Sequence, residues 1–265
     1  MKYVVCVKLT PDTEELADVR AEDALRNDPG VNMVLNPWDE FAVEEALALA
    51  ENYGGETLAV TLGSEDSAEA LKRAVAMGIG ETVLLSDPAF EGSDAWGVAY
   101  ALAQAVNNLG GYDLILTGRQ SVDGNSGLIP AGLAATLETP FVSQVAKVLE
   151  LSEGSITVLR ALEDGFQTVK VALPAVLSVS KEINEPRYPN FLGVRKASRM
   201  QYPATMAADL PGFDAARVGK QSALIEWTGV YKPPARVGTV EFIPGATAAE
   251  QAAALVERLV ADKVI

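Results

Sequence analysis

The first half of the chain alternates short apolar runs with longer amphipathic ones, and this alternation restricts the fold more than any single residue does. Tyr3–Val7, Thr57–Leu62, Thr82–Leu85 and Leu114–Thr117 are rich in Val, Leu and Ile. Runs that are apolar throughout suit strands buried on both faces. The segments between them have helical spacing. Asn36 suits a helix N-cap and Pro37 the first helical position, with Asp39 and Glu40 complementing the helix dipole. Trp38, Ala42, Ala46, Leu49 and Tyr53 form its apolar stripe, Glu44, Glu45 and Glu51 lie off it, and Gly54-Gly55 ends it. A second helix is predicted over Ser64–Met77, with a Glu69–Arg73 pair four residues apart and Gly78 as the stop. A third is predicted over Asp94–Leu109, stopped by Gly110-Gly111. This order implies an α/β fold: a parallel sheet covered on both sides, joined by right-handed crossovers. Ligands of such sheets bind at the carboxyl ends of the strands, where strand order reverses.

After Pro140 the texture changes. Val142–Leu151, Ile156–Leu162 and Phe166–Leu173 are separated by Ser152-Glu153-Gly154 and Glu163-Asp164-Gly165. That spacing predicts hairpins, added at the sheet edge or as a small second layer. From Leu210 the chain shows little core texture until a last helix, which Thr247 and Glu250 open as a capping box. Leu255, Val256, Leu259 and Val260 form its apolar face.

Composition removes several chemistries. The 265 residues include no histidine, so a Ser-His-Asp or Cys-His device cannot be built within the chain. One cysteine, Cys6, allows no internal disulfide and sits in a strand as a small hydrophobe. The formal net charge of −15 opposes non-specific nucleic-acid binding. No apolar run approaches the ~20 residues that span a bilayer, and Met1 leads directly into the first strand without a secretory pattern. A cytoplasmic protein is the expectation.

The strongest candidate for a site is Thr117–Ala134, TGRQSVDGNSGLIPAGLA. It reads as a small, polar strand-to-helix turn that leaves backbone N–H groups free at a helix N-terminus, which suits a phosphate. An ordinary turn with Asn or Ser as cap is the bland reading. Val7–Pro11, Asn36-Pro37 and Leu62-Gly63 should converge on the same sheet edge. The long connection from Asp12 to Leu35 is expected to carry a short hairpin around Asp28-Pro29-Gly30.

Three motifs in this order, NPWDEFAVEEAL, TGRQSVDG and LPAVLSV followed by NEPRYPNFLG, resemble the small (beta) subunit of electron-transfer flavoprotein. The likeness covers Met1 to about Arg199 and, more loosely, the tail. It implies a Rossmann-like adenine-nucleotide-binding domain over 1–209, with added antiparallel strands and a C-terminal arm over 210–265 that wraps a larger alpha subunit. It implies a FAD held mainly by that alpha subunit, and an AMP in this chain, or a second FAD here if the protein is an electron-bifurcating member. It further implies electrons arriving from acyl-CoA or other dehydrogenases, as in fatty acid oxidation, and leaving to a quinone oxidoreductase or another acceptor. The family's nucleotide pocket maps onto Lys8, Leu9, Asn36, Leu62, Gly63, Gly118, Gln120, Val122, Asp123, Gly124, Asn125, Ser126 and Gly127. Where many members carry a second carboxylate and a glutamine, this chain has Asn125 and Leu128, so the phosphate contacts differ in detail. The first motif resembles ordinary members and the second the bifurcating ones; AMP is the expectation.

The same resemblance implies that a loop over 184–199 docks on the dehydrogenase through Pro186, Arg187, Tyr188, Phe191 and Leu192, with Phe191 or Leu192 as the anchor. Its prolines limit unbound freedom, and Lys181, Arg187, Arg195, Lys196 and Arg199 set a positive rim on an acidic chain. Trp227 and Tyr231 are the expected contacts of the arm with the alpha subunit. An electron carrier without bond-making residues of its own follows; neither a catalytic residue nor a metal site is expected. The alternatives are an ATP-using enzyme of the same superfamily, which lacks its phosphate loop here, and a partnerless small-molecule-binding domain.

Overall fold

A computed structural model describes residues 1–15, 18–20, 30–226, 228–229, 231–232, 238 and 240–265. The chain opens with β1 (Lys2–Cys6), then β2 (Leu9–Pro11) and β3 (Met33–Leu35), before α1 (Pro37–Tyr53). β4 (Glu56–Leu62), α2 (Ala68–Met77), β5 (Glu81–Leu85), α3 (Ala95–Asn107), β6 (Leu114–Gly118) and α4 (Leu128–Leu137) follow. Then come β7 (Phe141–Ser152), β8 (Ser155–Leu162), β9 (Gly165–Ala172), β10 (Ala175–Val179), α5 (Phe191–Arg199), β11 (Ala204–Thr205) and α6 (Ala248–Ala261).

One sheet runs in the order β11-β5-β4-β1-β6-β10-β7-β8-β9. From β11 to β7 all pairings are parallel; β8 and β9 extend the β7 edge antiparallel. The hairpins predicted from spacing therefore continue the main sheet. The order reverses at β1: β4 and β5 lie to one side, and β6 and β10 to the other. Alternate residues of each strand feed two cores. Tyr3, Val5, Leu114, Leu116 and Leu177 face α1 and α2 with Ala42, Ala46, Leu71 and Ala74. Val4, Leu58, Val60, Ile115 and Val176 face α3 and α4 with Tyr100, Val106 and Leu133. Each buried Val or Leu contributes roughly 1.5–3 kcal/mol by leaving water, which explains the continuous apolar texture of these strands.

Several local expectations change. The second helix begins with a separate 3-10 turn, Glu65–Ser67. Arg73 pairs with Glu40 on α1 (3.1 Å), and Glu69 with Lys72. A loop is predicted over 184–199, yet Phe191–Arg199 forms α5: the Asn190 side chain accepts from the Gly193 N–H (2.8 Å) and caps it. Gly193 is where α5 meets α2, since a Cβ there would lie 2.2 Å from the Ala76 carbonyl oxygen. Residues 28 and 29 of the expected hairpin lie outside the described residues; β2 and β3 pair antiparallel at the two ends of that connection, Thr10 opposite Val34.

The chain divides into two compact units, 1–230 and 231–265. In the first, Leu210 and Val218 are buried although the sequence around them shows little core texture. Phe213 packs edge-on to Phe90 and against Tyr100, over which the Arg217 guanidinium sits at 3.9 Å. The second unit carries α6, opened by the predicted capping box between Thr247 and Glu250. Leu255, Val256 and Val260 of α6 are exposed, as is Tyr231. Trp227 lies outside the described residues. Among the described residues no helix is long and apolar enough to cross a membrane.

Candidate functional site

A cavity of about 450 Å³ opens at the carboxyl ends of β1, β4 and β6, where the strand order reverses. Two side chains at the start of α1, Asn36 at its N-cap position and Asp39 in its first turn, build its floor. Asp39 accepts from the Lys8 N–H at the exit of β1 (Oδ2, 2.9 Å) and from the Gly118 N–H at the exit of β6 (Oδ1, 3.2 Å). Asn36 donates from Nδ2 to the Gln120 carbonyl (2.9 Å) and accepts at Oδ1 from the Val122 N–H (3.2 Å). Asn36 occupies the N-cap position but makes no capping bond; its amide serves the β6 turn instead. Gly118 is required by close approach, because a Cβ there would lie 2.5 Å from Asp39 Oδ1 and 2.7 Å from the Trp38 carbonyl carbon.

The rim is charged. Lys8 Nζ contacts Asp123 Oδ2 at 2.6 Å. Burial raises the Asp123 carboxyl, but the Lys8 charge and hydrogen bond outweigh it and hold the group below its ordinary range. Asp123 also accepts from the Gly124 N–H (2.7 Å), and Gln120 Nε2 donates to Asn125 Oδ1 (2.9 Å), so the turn is held by its own side chains.

Two helices point their N-termini at the cavity, and they differ. At α3, Asp94 Oδ1 accepts from the Trp96 and Gly97 N–H groups (3.0 Å each) and Oδ2 from the Leu224 N–H (2.8 Å). Its own carboxylate answers that dipole. At α4 the N-cap is Gly127 in a left-handed conformation, which offers no side chain; Ser126 Oγ reaches the Leu128 N–H only at 3.5 Å. Free N–H groups at α4, with the Lys8 ammonium nearby, suit a phosphate. Leu62, Val98, Leu102, Ile129 and Ile225 supply apolar wall for an aromatic base. Cys6 also lines the cavity, but burial first and Asp39 second push its thiol up to about 12, so it supplies no thiolate.

Of the residues singled out in the sequence, Lys8, Asn36, Leu62, Gly118, Gln120, Gly124, Ser126 and Gly127 line the cavity. Val122, Asp123 and Asn125 stand behind them as hydrogen-bonding partners. Leu9 packs on the α1 core, and the Gly63 N–H donates to the Leu85 carbonyl. The sequence reading missed Asp39, Ser93, Asp94, Val98, Leu102 and Ile225 as wall residues, whereas Thr117 opens the stretch it singled out. For Asp39 the signal was a carboxylate in the first turn of the helix nearest the strand exits, which the dipole explanation absorbed. For Ile225, 163 positions beyond Leu62 in the chain, there was no local signal.

A second cluster ties the segment before α5 to α1. Asn184 Nδ2 donates to the Phe41 carbonyl (3.1 Å) and to Glu45 (3.0 Å). Arg187 bonds Glu44 through Nε (2.8 Å), Nη2 (2.9 Å) and its backbone N–H (3.0 Å), and Glu51 through Nη1 (2.6 Å). Arg187 is thus neutralised within the chain. Pro186 is half-buried beside it. Beyond this clamp Tyr188, Phe191 and Leu192 are 90, 78 and 72% exposed.

The profile of the electron transfer flavoprotein domain matches residues 27–209. The chain is 34% identical to the caffeyl-CoA reductase-Etf complex subunit CarD of Acetobacterium woodii, over all of both chains. It is 36% identical to an electron transfer flavoprotein subunit beta of Thermoanaerobacterium thermosaccharolyticum, over 79% of each chain, and 31% identical to that of Megasphaera elsdenii over all of both. The chain therefore belongs to the beta-subunit branch of the electron transfer flavoprotein family, whose members carry electrons in complex with an alpha subunit and FAD.

Proposed function

We propose that this chain binds one AMP in the cavity at the β1/β6 reversal and serves as the fixed half of a heterodimer that relays electrons from dehydrogenases, acyl-CoA dehydrogenases among them, to a quinone oxidoreductase or a similar acceptor. The observation that carries the nucleotide reading is the asymmetry of the two helix ends: α3 is closed by Asp94, and α4 is left open in the same cavity that Lys8 lines. One open anion position favours a single phosphate, hence AMP over a second FAD. FAD, held mainly by the alpha subunit, supplies the redox chemistry. This chain's residues bind, orient and shield. Lys8 and the first turn of α4 hold the phosphate, Asp39 and Asn36 fix the strand exits, and the apolar wall excludes water from the base.

Phe191 and Leu192, on the first turn of α5, are the residues we assign to dehydrogenase docking, held outward by the Arg187–Glu44 clamp. Apolar tips on a constrained segment make effective hot spots. The unit over 231–265, with the exposed face of α6, is assigned to the alpha subunit as a wrapping arm.

Co-expression with an alpha-type partner tests the assembly. A yellow complex of one copy of each chain is expected, and the isolated chain should not turn over ATP. Steady ATP hydrolysis by the isolated chain, or failure of the two chains to associate, would reject this reading.

A further inference from the structure

Asp39 is 7% exposed, yet it carries a carboxylate. Burying such a group is costly unless its oxygens are satisfied by hydrogen bonds. Here both oxygens are used on backbone N–H groups from different strands, Lys8 on β1's exit and Gly118 on β6's exit, 31 and 79 positions away in the chain. These two exits flank the reversal of strand order, and no backbone pairing continues between β1 and β6 past Cys6 and Thr117. The carboxylate takes over where the ladder stops.

We propose that Asp39 is a positioning residue of the nucleotide pocket, its ionised carboxylate drawing the exits of β1 and β6 together so that Lys8 and the Gly118–Gly127 turn face the same phosphate. The proposal rests on the nucleotide reading for its ligand and on geometry alone for the strut. Protonation puts an O–H on one of the two oxygens and weakens it as an acceptor, so one of the two N–H contacts loosens. The groups that act on Asp39 are few among the described residues. From β1 they are Lys8, itself paired with Asp123, and Cys6, whose thiol stays protonated; α1 and β6 present the neutral Asn36 side chain and the Gly118 N–H. Burial outweighs the hydrogen bonds and pushes the Asp39 carboxyl up to about 7, which sets the strut to loosen near neutral pH.

Two measurements on the full chain test this. In the labelled wild-type chain, the Lys8 and Gly118 amide resonances should shift together with a single midpoint near neutral pH, and in Asp39→Asn neither should titrate. AMP affinity, measured by calorimetry, should be about tenfold weaker in Asp39→Asn at about pH 8.5 and should approach the wild-type value at about pH 5.5, where wild-type Asp39 is protonated too. The ratio of the two proteins is the readout, because the phosphate itself titrates near pH ~6. Lys8 and Gly118 amides that stay silent in the wild type, or an affinity ratio that does not change with pH, would overturn the proposal. Titrating amides in a chain that binds no AMP would uphold the strut and overturn the nucleotide reading.

Discussion

Arg187 closes on Glu44 with its Nε and Nη2 against the two carboxylate oxygens, at 2.8 and 2.9 Å, across 143 positions of chain. The pair fastens the segment that leads into α5 to the outer face of α1. Glu44 is nearly buried (11% side-chain exposure), whereas Arg187 and Glu51 remain partly in solvent (35 and 60%).

Arg187→Ala should therefore cost about 1–2 kcal/mol in urea unfolding, chiefly by leaving Glu44 without a partner in its pocket. Arg187→Lys should recover only part of this, since an ammonium cannot make the two-pronged contact. Equal stability of both variants and wild type would show that the clamp holds nothing.

How far the sequence carried the fold can be read at particular places. β1, β4, β5 and β6 were legible because both faces are buried, which writes the strand as an unbroken apolar run. The hairpins β7 to β9 were legible from turn spacing. α5 was not: Pro186 and Pro189 stand before it and Gly193 lies inside it, so local propensity argued for a loop. Its cap, Asn190, which accepts from the Gly193 N–H, is evident only in the structure. Glu44 and Glu45 were placed off the apolar stripe, yet both are buried, because Arg187 and Asn184 cover them. Periodicity shows which face is apolar. It cannot show which carboxylates a distant segment will cover. Asp39 escaped for the same reason, its partners lying on two other strand exits.

Gly118→Ala places a methyl group 2.5 Å from Asp39 Oδ1 and 2.7 Å from the Trp38 backbone. The backbone must move, so a loss of about 1–3 kcal/mol is expected, together with weakened AMP binding measured by calorimetry. Wild-type affinity in this variant would remove Gly118 from the site.

Asp39→Asn has a stability signature with a defined sign. The Asp39 carboxyl rises from 3.8 to about 7 on folding, so the group favours the folded state at low pH and that contribution is lost as pH rises through about 7. Asn does not titrate. The stability of the variant relative to wild type should therefore improve between about pH 4 and pH 7, by at most about 4 kcal/mol. Denaturant unfolding across that window checks it; a relative stability that falls or stays flat would contradict the assignment. A charge retained at a stability cost is common where function needs it.

Phe191→Ala combined with Leu192→Ala removes side chains that are 78 and 72% exposed. Little change in melting temperature is expected, since neither side chain is buried in the chain. Electron transfer from the dehydrogenase should fall about tenfold or more, through weaker docking, with the FAD content of the complex unchanged. Loss of flavin would instead make these residues structural.

The most direct measurement is the nucleotide released when the purified heterodimer is denatured, identified by mass spectrometry and counted against protein. One AMP per beta chain, beside one FAD per complex, is the expected result. A complex that releases no adenine nucleotide beyond that single FAD would contradict the assignment of the β1/β6 cavity, and two FAD per complex would replace AMP with a second flavin.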